Sequence, residues 1–291
     1  MNNNYKKIGF IGFGLIGGAV ARSLKNIYKD LNITAYNYRT SENPNLTLAK
    51  NDNIIDLITS SIEEVSKSDV IFLCAPVQKN LMYLKEIAPL INEDTMITDV
   101  GSVKGDIFTL ALELGLEKNF LGGHPMTGKE KAGYAYSSAN MLKDHIYVMT
   151  PSKETLPSHI EWLNDFILKS EGTAVTLDPY EHDAIAAGIS HAPHVISANL
   201  VNTVAGFDTN GNYELLAAGG FKDITRISSS SPEMWRDICI TNKAAILKFI
   251  DVYEENIGKI KKYIENEDQD EIYKFFESAK IYRDSIIKKE D

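Results

Sequence analysis

Apolar residues along this chain fall into two regimes. In the first, short runs rich in β-branched and aromatic residues occupy positions 7–11, 33–37, 70–75, 96–100, 120–123, 146–150 and 174–177. Between the first two runs, Ile16, Val20, Leu24 and Ile27 recur at helical spacing. Several of the runs are unbroken, as strands buried on both faces require. Such strands alternating with helices predict a mostly parallel sheet covered by helices, an α/β domain.

The second regime begins after Asp178-Pro179, beyond which the pattern contains no convincing strand. Residues 180–204 read as one helix that Pro193 kinks. A long helix is expected from 232 to 265. On it Ile246, Ile250, Tyr253, Ile257, Ile260 and Ile264 alternate steps of four and three, a heptad-like seam suited to another helix. A last helix is expected over 270–288. The division is therefore an α/β domain over 1–178 and an all-α domain over 179–291, and the seam predicts a homodimer through the helical half.

The chain has 291 residues, 44% apolar and 24% charged, which excludes wholesale disorder. A net charge of −10 argues against general nucleic-acid binding. Its two cysteines, Cys74 and Cys239, make no disulfide scaffold, and Cys74 sits within an apolar run as a buried thiol would. The apolar run after Lys7 is too short and glycine-rich to span a bilayer, so a cytoplasmic protein without a membrane partner is expected.

Gly12-Phe13-Gly14-Leu15-Ile16-Gly17 fits G-x-G-x-x-G and stands between a strand and an amphipathic helix, the context that gives the pattern meaning. The first glycine allows a tight turn, the second the approach of a pyrophosphate, the third close helix–strand packing. The helix N-terminus favours an anion, so dinucleotide binding is expected. At the end of the second strand, where an acidic residue would hold the adenosine ribose, stands Asn37. Asn37 does not repel a 2′-phosphate, and Arg39 and Thr40 are near enough to hold one. By residue chemistry alone NAD and NADP are evenly matched.

In an open parallel sheet, ligands bind beyond the carboxyl ends of the strands. Three of these ends carry suggestive groups: Cys74-Ala75-Pro76, then Asp99-Val100-Gly101-Ser102, then Gly122-Gly123-His124-Pro125. Ser102 reads equally as a helix N-cap. His124 has the pKa range of a general base for oxidising an alcohol. In the helical half His191 and His194 share a helix face, with Glu181, His182 and Asp183 two to three turns earlier. That spacing matches no zinc pattern, and no metal is expected. Arg226, in a polar turn after Gly219-Gly220, is a candidate carboxylate clamp, or else a structural partner of Asp223.

In order, "GFGLIGG", "CAPV", "TDVGSVK", "GGHPMTG", "SHAPH" and "GGFKDITRI", followed by Trp235, resemble the prephenate and arogenate dehydrogenases over nearly the whole chain. The resemblance implies a Rossmann-like domain followed by a helical dimerisation domain. It also implies oxidative decarboxylation of prephenate to 4-hydroxyphenylpyruvate, on the route to tyrosine, with NAD as the commoner cofactor. It assigns catalysis to His124 with Ser102, and substrate binding to His194 and Arg226. Cofactor contacts fall to the glycine turn with Leu15 and Ile16, to Asn37 and Arg39, and to Cys74, Ala75 and Pro76. Lys129 follows the "HPMTG" segment where many members carry a small residue; it either adds charge at the pocket mouth or is solvated. Some relatives end in a small regulatory domain. The helical pattern here runs almost to Asp291, so none is expected, and any feedback by tyrosine would act at the active site. The competing readings are an arogenate dehydrogenase, a β-hydroxyacid dehydrogenase, against which "GGHPM" speaks, and a catalytically silent dinucleotide sensor.

Overall fold

A computed structural model describes residues 5–39, 41–129 and 131–287. Eight strands form one sheet: β1 Lys7–Ile11, β2 Asn32–Tyr36, β3 Leu57–Thr59, β4 Val70–Leu73, β5 Met96–Asp99, β6 Phe120–Pro125, β7 Ile146–Pro151 and β8 Thr173–Thr176. Their spatial order is β3-β2-β1-β4-β5-β6-β7-β8. Every neighbouring pair is parallel except β6 and β7. That exception follows from the connection. Residues 126–145 contain two short 3₁₀ turns and no α-helix among the described residues, so nothing carries the chain back across the sheet as a parallel pair needs.

The central strands are buried on both faces. Ile8, Phe10, Val70 and Phe72 pack with Val20 and Leu24, while Ile11, Ile71, Leu73 and Ile97 pack with Leu84, Ile87, Ile107 and Leu110. The unbroken apolar runs are thus two interleaved core faces. β3 is a departure from the sequence expectation. It has three residues at the sheet edge, half-exposed, and leaves no apolar run to read.

The register Ile11↔Leu73 and Leu73↔Asp99 aligns the carboxyl ends of β1, β4 and β5. β6 continues two residues beyond the expected end to Pro125, so His124 is a strand residue, paired with Val148.

In the second half the expected helix over 180–204 is two helices, Pro179–Ala186 and Ala192–Phe207, joined by a π-helical turn, Ala187–His191. Asp178 caps the first through Tyr180 N–H and Glu181 N–H. Pro193 has no N–H for the Ile189 carbonyl, and the chain accommodates it by widening the turn before it, where Ala192 N–H bonds Ala187 O. The expected long helix over 232–265 is also two, Pro232–Thr241 and Lys243–Glu265, broken at Asn242. Asn242 is buried and its amide serves other groups, described below. Gly219–Thr225 is helical rather than an open polar turn, and Arg226–Ser229 continues as a 3₁₀ turn.

By packing, the chain divides into Met1–Lys243 and Ala244–Asp291, later than the expected junction at 178/179. Residues 179–243 are tied to the sheet half by the contacts of Asp183 described next. In the second unit, Ile246 of the expected seam is buried, Ile250, Tyr253 and Ile260 are half-buried, and Ile257 and Ile264 are exposed. Its last helix is Gln269–Ile287, and the expected end at Lys288 lies outside the described residues.

Candidate active site

The glycine turn is built as its spacing requires. Gly12 has φ +89°, and a Cβ there would lie 2.4 Å from Ala75 N, so the β4 end presses directly on it. A Cβ at Gly17 would meet Gly12 O at 3.0 Å and the Cys74 side chain at 3.1 Å, which is the close helix–strand approach. Gly14 opens on empty space, with nothing within 4 Å of a Cβ, and caps the helix Leu15–Ile27 without a side-chain hydrogen bond. Leu15 and Ile16 form the half-buried first turn. This open, uncapped helix start is a cradle for a pyrophosphate.

At the β2 end the Asn37 side chain is turned on its own loop. Its Oδ1 accepts from Arg39 N–H at 3.2 Å and its Nδ2 donates to Ser41 O at 3.2 Å. Arg39 Nε donates to Tyr38 Oη at 3.1 Å, and the guanidinium lies over the Tyr38 ring. Thr40 lies outside the described residues. Ala75 N–H donates to Asn80 Oδ1, and Pro76 starts the helix Val77–Ile87. Burial, with a smaller contribution from Asp99, pushes the Cys74 thiol up, so it is unreactive as a nucleophile.

Asp99, the last residue of β5, joins this cradle to β6. Its carboxylate accepts from Gly101 N–H and Gly123 N–H and pairs with the fully buried Lys104 ammonium. Lys104 Nζ also donates to Gly123 O at 2.9 Å. One ion pair therefore holds both backbone groups of Gly123, the residue before His124.

His124 is half-buried, and its Nδ1 lies 2.8 Å from His182 Nε2. His182 Nδ1 lies 2.8 Å from Asp183 Oδ1. Asp183 accepts Lys104 N–H on Oδ1 and Gly105 N–H on Oδ2, both at 2.7 Å. Asp183 thus caps the helix Gly105–Glu113 from a distant part of the chain, and Ser102, expected as that cap, is not it. Ser102 is half-buried in the turn between β5 and that helix, and the hydrogen bond of the His124 ring goes to His182 rather than to Ser102. Burial first, then the neighbouring His182 ring, the Lys104 ammonium and the His191 ring, all of which disfavour a positive charge at this site, hold the His124 imidazole well below its ordinary value.

The remaining candidates adjoin this cluster. Asn242 Nδ2 donates to Asp183 O at 2.8 Å and sits 2.9 Å from His191 Nδ1. Burial lowers His191 to about 4. His194 donates from Nδ1 to Ser190 O at 2.8 Å and stacks on Trp235, with ring centroids 3.7 Å apart. Burial lowers His194 too, and the nearby Arg226 charge adds to the shift. Ser197 Oγ, bonded to Ile224 O and Ser228 Oγ, fixes the segment that carries Arg226 to the helix Ala192–Phe207. Lys129 is exposed and donates to Tyr136 O. A separate cavity of about 1260 Å³ lies at the amino ends of β1, β4 and β5, among Tyr5, Asp69, Thr95, His159 and Trp162, and shares no residue with this cluster.

The structure places His124 in β6, the glycine turn between β1 and its helix, and His194 on the helix Ala192–Phe207, while Arg226 follows a helix rather than the expected polar turn. Sequence reading passed over His182 and Asp183 as solvated or capping groups near a helix start, and gave Asn242, Lys104 and Asp99 no role. The run Glu181-His182-Asp183 was the available signal, but it lies 58 residues from His124.

Two family models match the chain: prephenate dehydrogenase, nucleotide-binding domain, over residues 20–176, and prephenate dehydrogenase, dimerization domain, over residues 178–278. A prephenate dehydrogenase of Bacillus subtilis is 35% identical, covering 98% of this chain and 77% of that protein. A cyclohexadienyl dehydrogenase of Zymomonas mobilis is 28% identical, covering 96% and 95%. Among solved structures, prephenate dehydrogenase from A. aeolicus in complex with hydroxyphenyl propionate and NAD+ superposes with a TM-score of 0.90 at 32% identity, covering 98% of this chain and 100% of that one. The Synechocystis arogenate dehydrogenase gives 0.83 at 27% identity, covering 96% and 99%. The chain belongs to the prephenate dehydrogenase family.

Proposed function

We propose that the chain oxidises and decarboxylates prephenate to 4-hydroxyphenylpyruvate with NAD, and that His124 is the base. The observation that carries this reading is the placement of the His124 imidazole at the carboxyl end of β6, after a Gly123 held by the Asp99–Lys104 ion pair, in the sheet whose β1 leads into the glycine cradle. The open Gly14 and the uncapped helix start fit a dinucleotide, which supplies the hydride acceptor when bound.

His124 accepts the proton of the ring hydroxyl as hydride leaves the same carbon. The resulting ring ketone is vinylogous to a β-keto acid, so departure of the ring carboxylate as CO₂ restores aromaticity. Ser102, at the neighbouring strand end, hydrogen-bonds the same hydroxyl. Arg226 and His194, close enough to each other to interact by charge, receive the carboxylates and offset the repulsion between a dianionic substrate and an acidic protein. Trp235, stacked on His194, fixes that ring. Residues up to 178 hold the nucleotide, and those from 179 hold the substrate and the dimer contact. Among the described residues no helix is long and apolar enough to cross a membrane, and the reaction's substrates are soluble, which supports a cytoplasmic site of action.

The test is to mix protein, prephenate and either NAD or NADP and follow the absorbance of the reduced nicotinamide, with arogenate as a parallel substrate. Prephenate-dependent reduction with release of 4-hydroxyphenylpyruvate is expected. His124→Asn should lose at least about 10²-fold in kcat. Turnover of arogenate alone would reassign the substrate, and no reduction with either would end the enzymatic reading.

A further inference from the structure

The hydrogen bonds behind His124 fix where its protons sit. Both carboxylate oxygens of Asp183 accept backbone N–H groups and Oδ1 also faces His182 Nδ1, an arrangement of donors suited to a carboxylate. His182 Nδ1, 2.8 Å from Oδ1, therefore carries hydrogen. In neutral His182 this leaves Nε2 bare, and that bare nitrogen faces His124 Nδ1 at 2.8 Å. His124 must then be protonated on Nδ1, with its Nε2 lone pair free. The tautomer needed for a base is imposed from the helical half of the chain.

The same row of atoms can carry charge away. An imidazolium formed at His124 would lie in a buried setting with the Lys104 ammonium close by. An imidazolium at His182 would lie directly against the Asp183 carboxylate. Two other groups face this pair: Asp106, whose carboxyl is raised by burial and then by the Asp183 charge, and His191. The Nδ1 of His191 faces an amide N–H of Asn242, which can only donate, so His191 is neutral and adds no competing charge.

We propose that the proton His124 takes from the substrate is passed on to His182, making His124, His182 and Asp183 a relay in which His182 is the positioning residue and transient proton holder. Nε2 of His124 gains the hydroxyl proton, Nδ1 of His124 gives its own proton to Nε2 of His182, and no other group changes its proton count. His124 ends neutral with hydrogen on Nε2, and the positive charge rests between His182 and Asp183.

The relay rests on the reading of His124 as the base, but its resting state can be tested without substrate. Imidazole ¹⁵N spectra of the full-length protein should show His124 and His182 both protonated on Nδ1. A resting His124 protonated on Nε2 overturns the relay whatever the substrate. With prephenate, His182→Gln keeps an acceptor for His124 but cannot hold a proton, and should lose about 10²-fold in kcat with the KM for NAD unchanged. Asp183→Asn should lower the plateau and also move the acid limb of kcat/KM to lower pH, because a pair without its carboxylate is harder to protonate. A merely structural role would lower activity without moving that limb. The proton inventory of wild-type kcat should curve, reporting two protons in transit. Wild-type kcat in His182→Gln, an unmoved limb in Asp183→Asn or a linear inventory would each overturn the proposal.

Discussion

Single residues divide the work by charge and by hydrogen-bonding capacity. Arg226 is the proposed carboxylate clamp, and a charge-assisted bond of this kind contributes about 1.5–3 kcal/mol. Arg226→Ala should therefore raise the KM for prephenate by roughly 10- to 100-fold with a smaller effect on kcat; steady-state kinetics with prephenate varied would show it, and an unchanged KM would remove the clamp. Asn37 offers a second test. Its Oδ1 already accepts Arg39 N–H, a bond aspartate would keep, while the Nδ2 bond to Ser41 O would be lost and a negative charge added where the adenosine ribose is proposed to lie. Asn37→Asp should raise the ratio of kcat/KM for NAD over NADP by roughly tenfold, about 1.4 kcal/mol of discrimination. A ratio that stays level would place the ribose elsewhere. Both residues could be singled out in the sequence because each follows a glycine or strand signal at fixed spacing. His182 was not, because its role comes from a side chain 58 positions away.

At the scale of elements, the sheet could be read because burial on both faces leaves unbroken apolar runs, and the departures have local causes. β3 is too short and too exposed to leave a pattern. The antiparallel β7 follows a connection without a crossover helix. The helix break at Asn242 and the π-turn before Pro193 both serve the polar cluster, which periodicity does not encode. The start of the helix Gly105–Glu113 shows how tightly elements and site are coupled. Glycine to alanine at a helical position is ordinarily stabilising by up to about 1 kcal/mol. At Gly105, however, a Cβ would lie 2.9 Å from Asp183 Oδ2 and 3.3 Å from the Tyr180 ring. Asp183 must shift to admit it, and with Asp183 moves the support of His182. Gly105→Ala should cost kcat without raising the thermal midpoint. A variant that is both more stable and fully active would show that Asp183 tolerates displacement.

The whole molecule carries two consequences of the same layout. Phe207, Leu215, Leu216, Ile264 and Phe276 are all exposed in one chain. So much apolar surface in residues matching a dimerization domain is what a second copy covers. The other consequence concerns acid. His124, His159, His191 and His194 are all held below their ordinary pKa, chiefly by burial. Unfolding releases each to about 6.5, so between the folded and unfolded values the unfolded chain binds more protons. Stability should therefore be level above about pH 7 and fall as the pH drops through 6.5 towards 4. For His191, lowered to about 4, the contribution at the acid end is of order 3 kcal/mol, at about 1.4 kcal/mol per pKa unit. Urea denaturation at about pH 8 and about pH 5 should show the lower midpoint in acid. A His191→Asn variant, which cannot titrate, should be less stable near neutrality for want of a fitted partner to Asn242, yet lose less on acidification. Parallel pH slopes in the two proteins would mean that His191 is not held neutral by its burial, and would remove the ground for keeping positive charge off that side of His182.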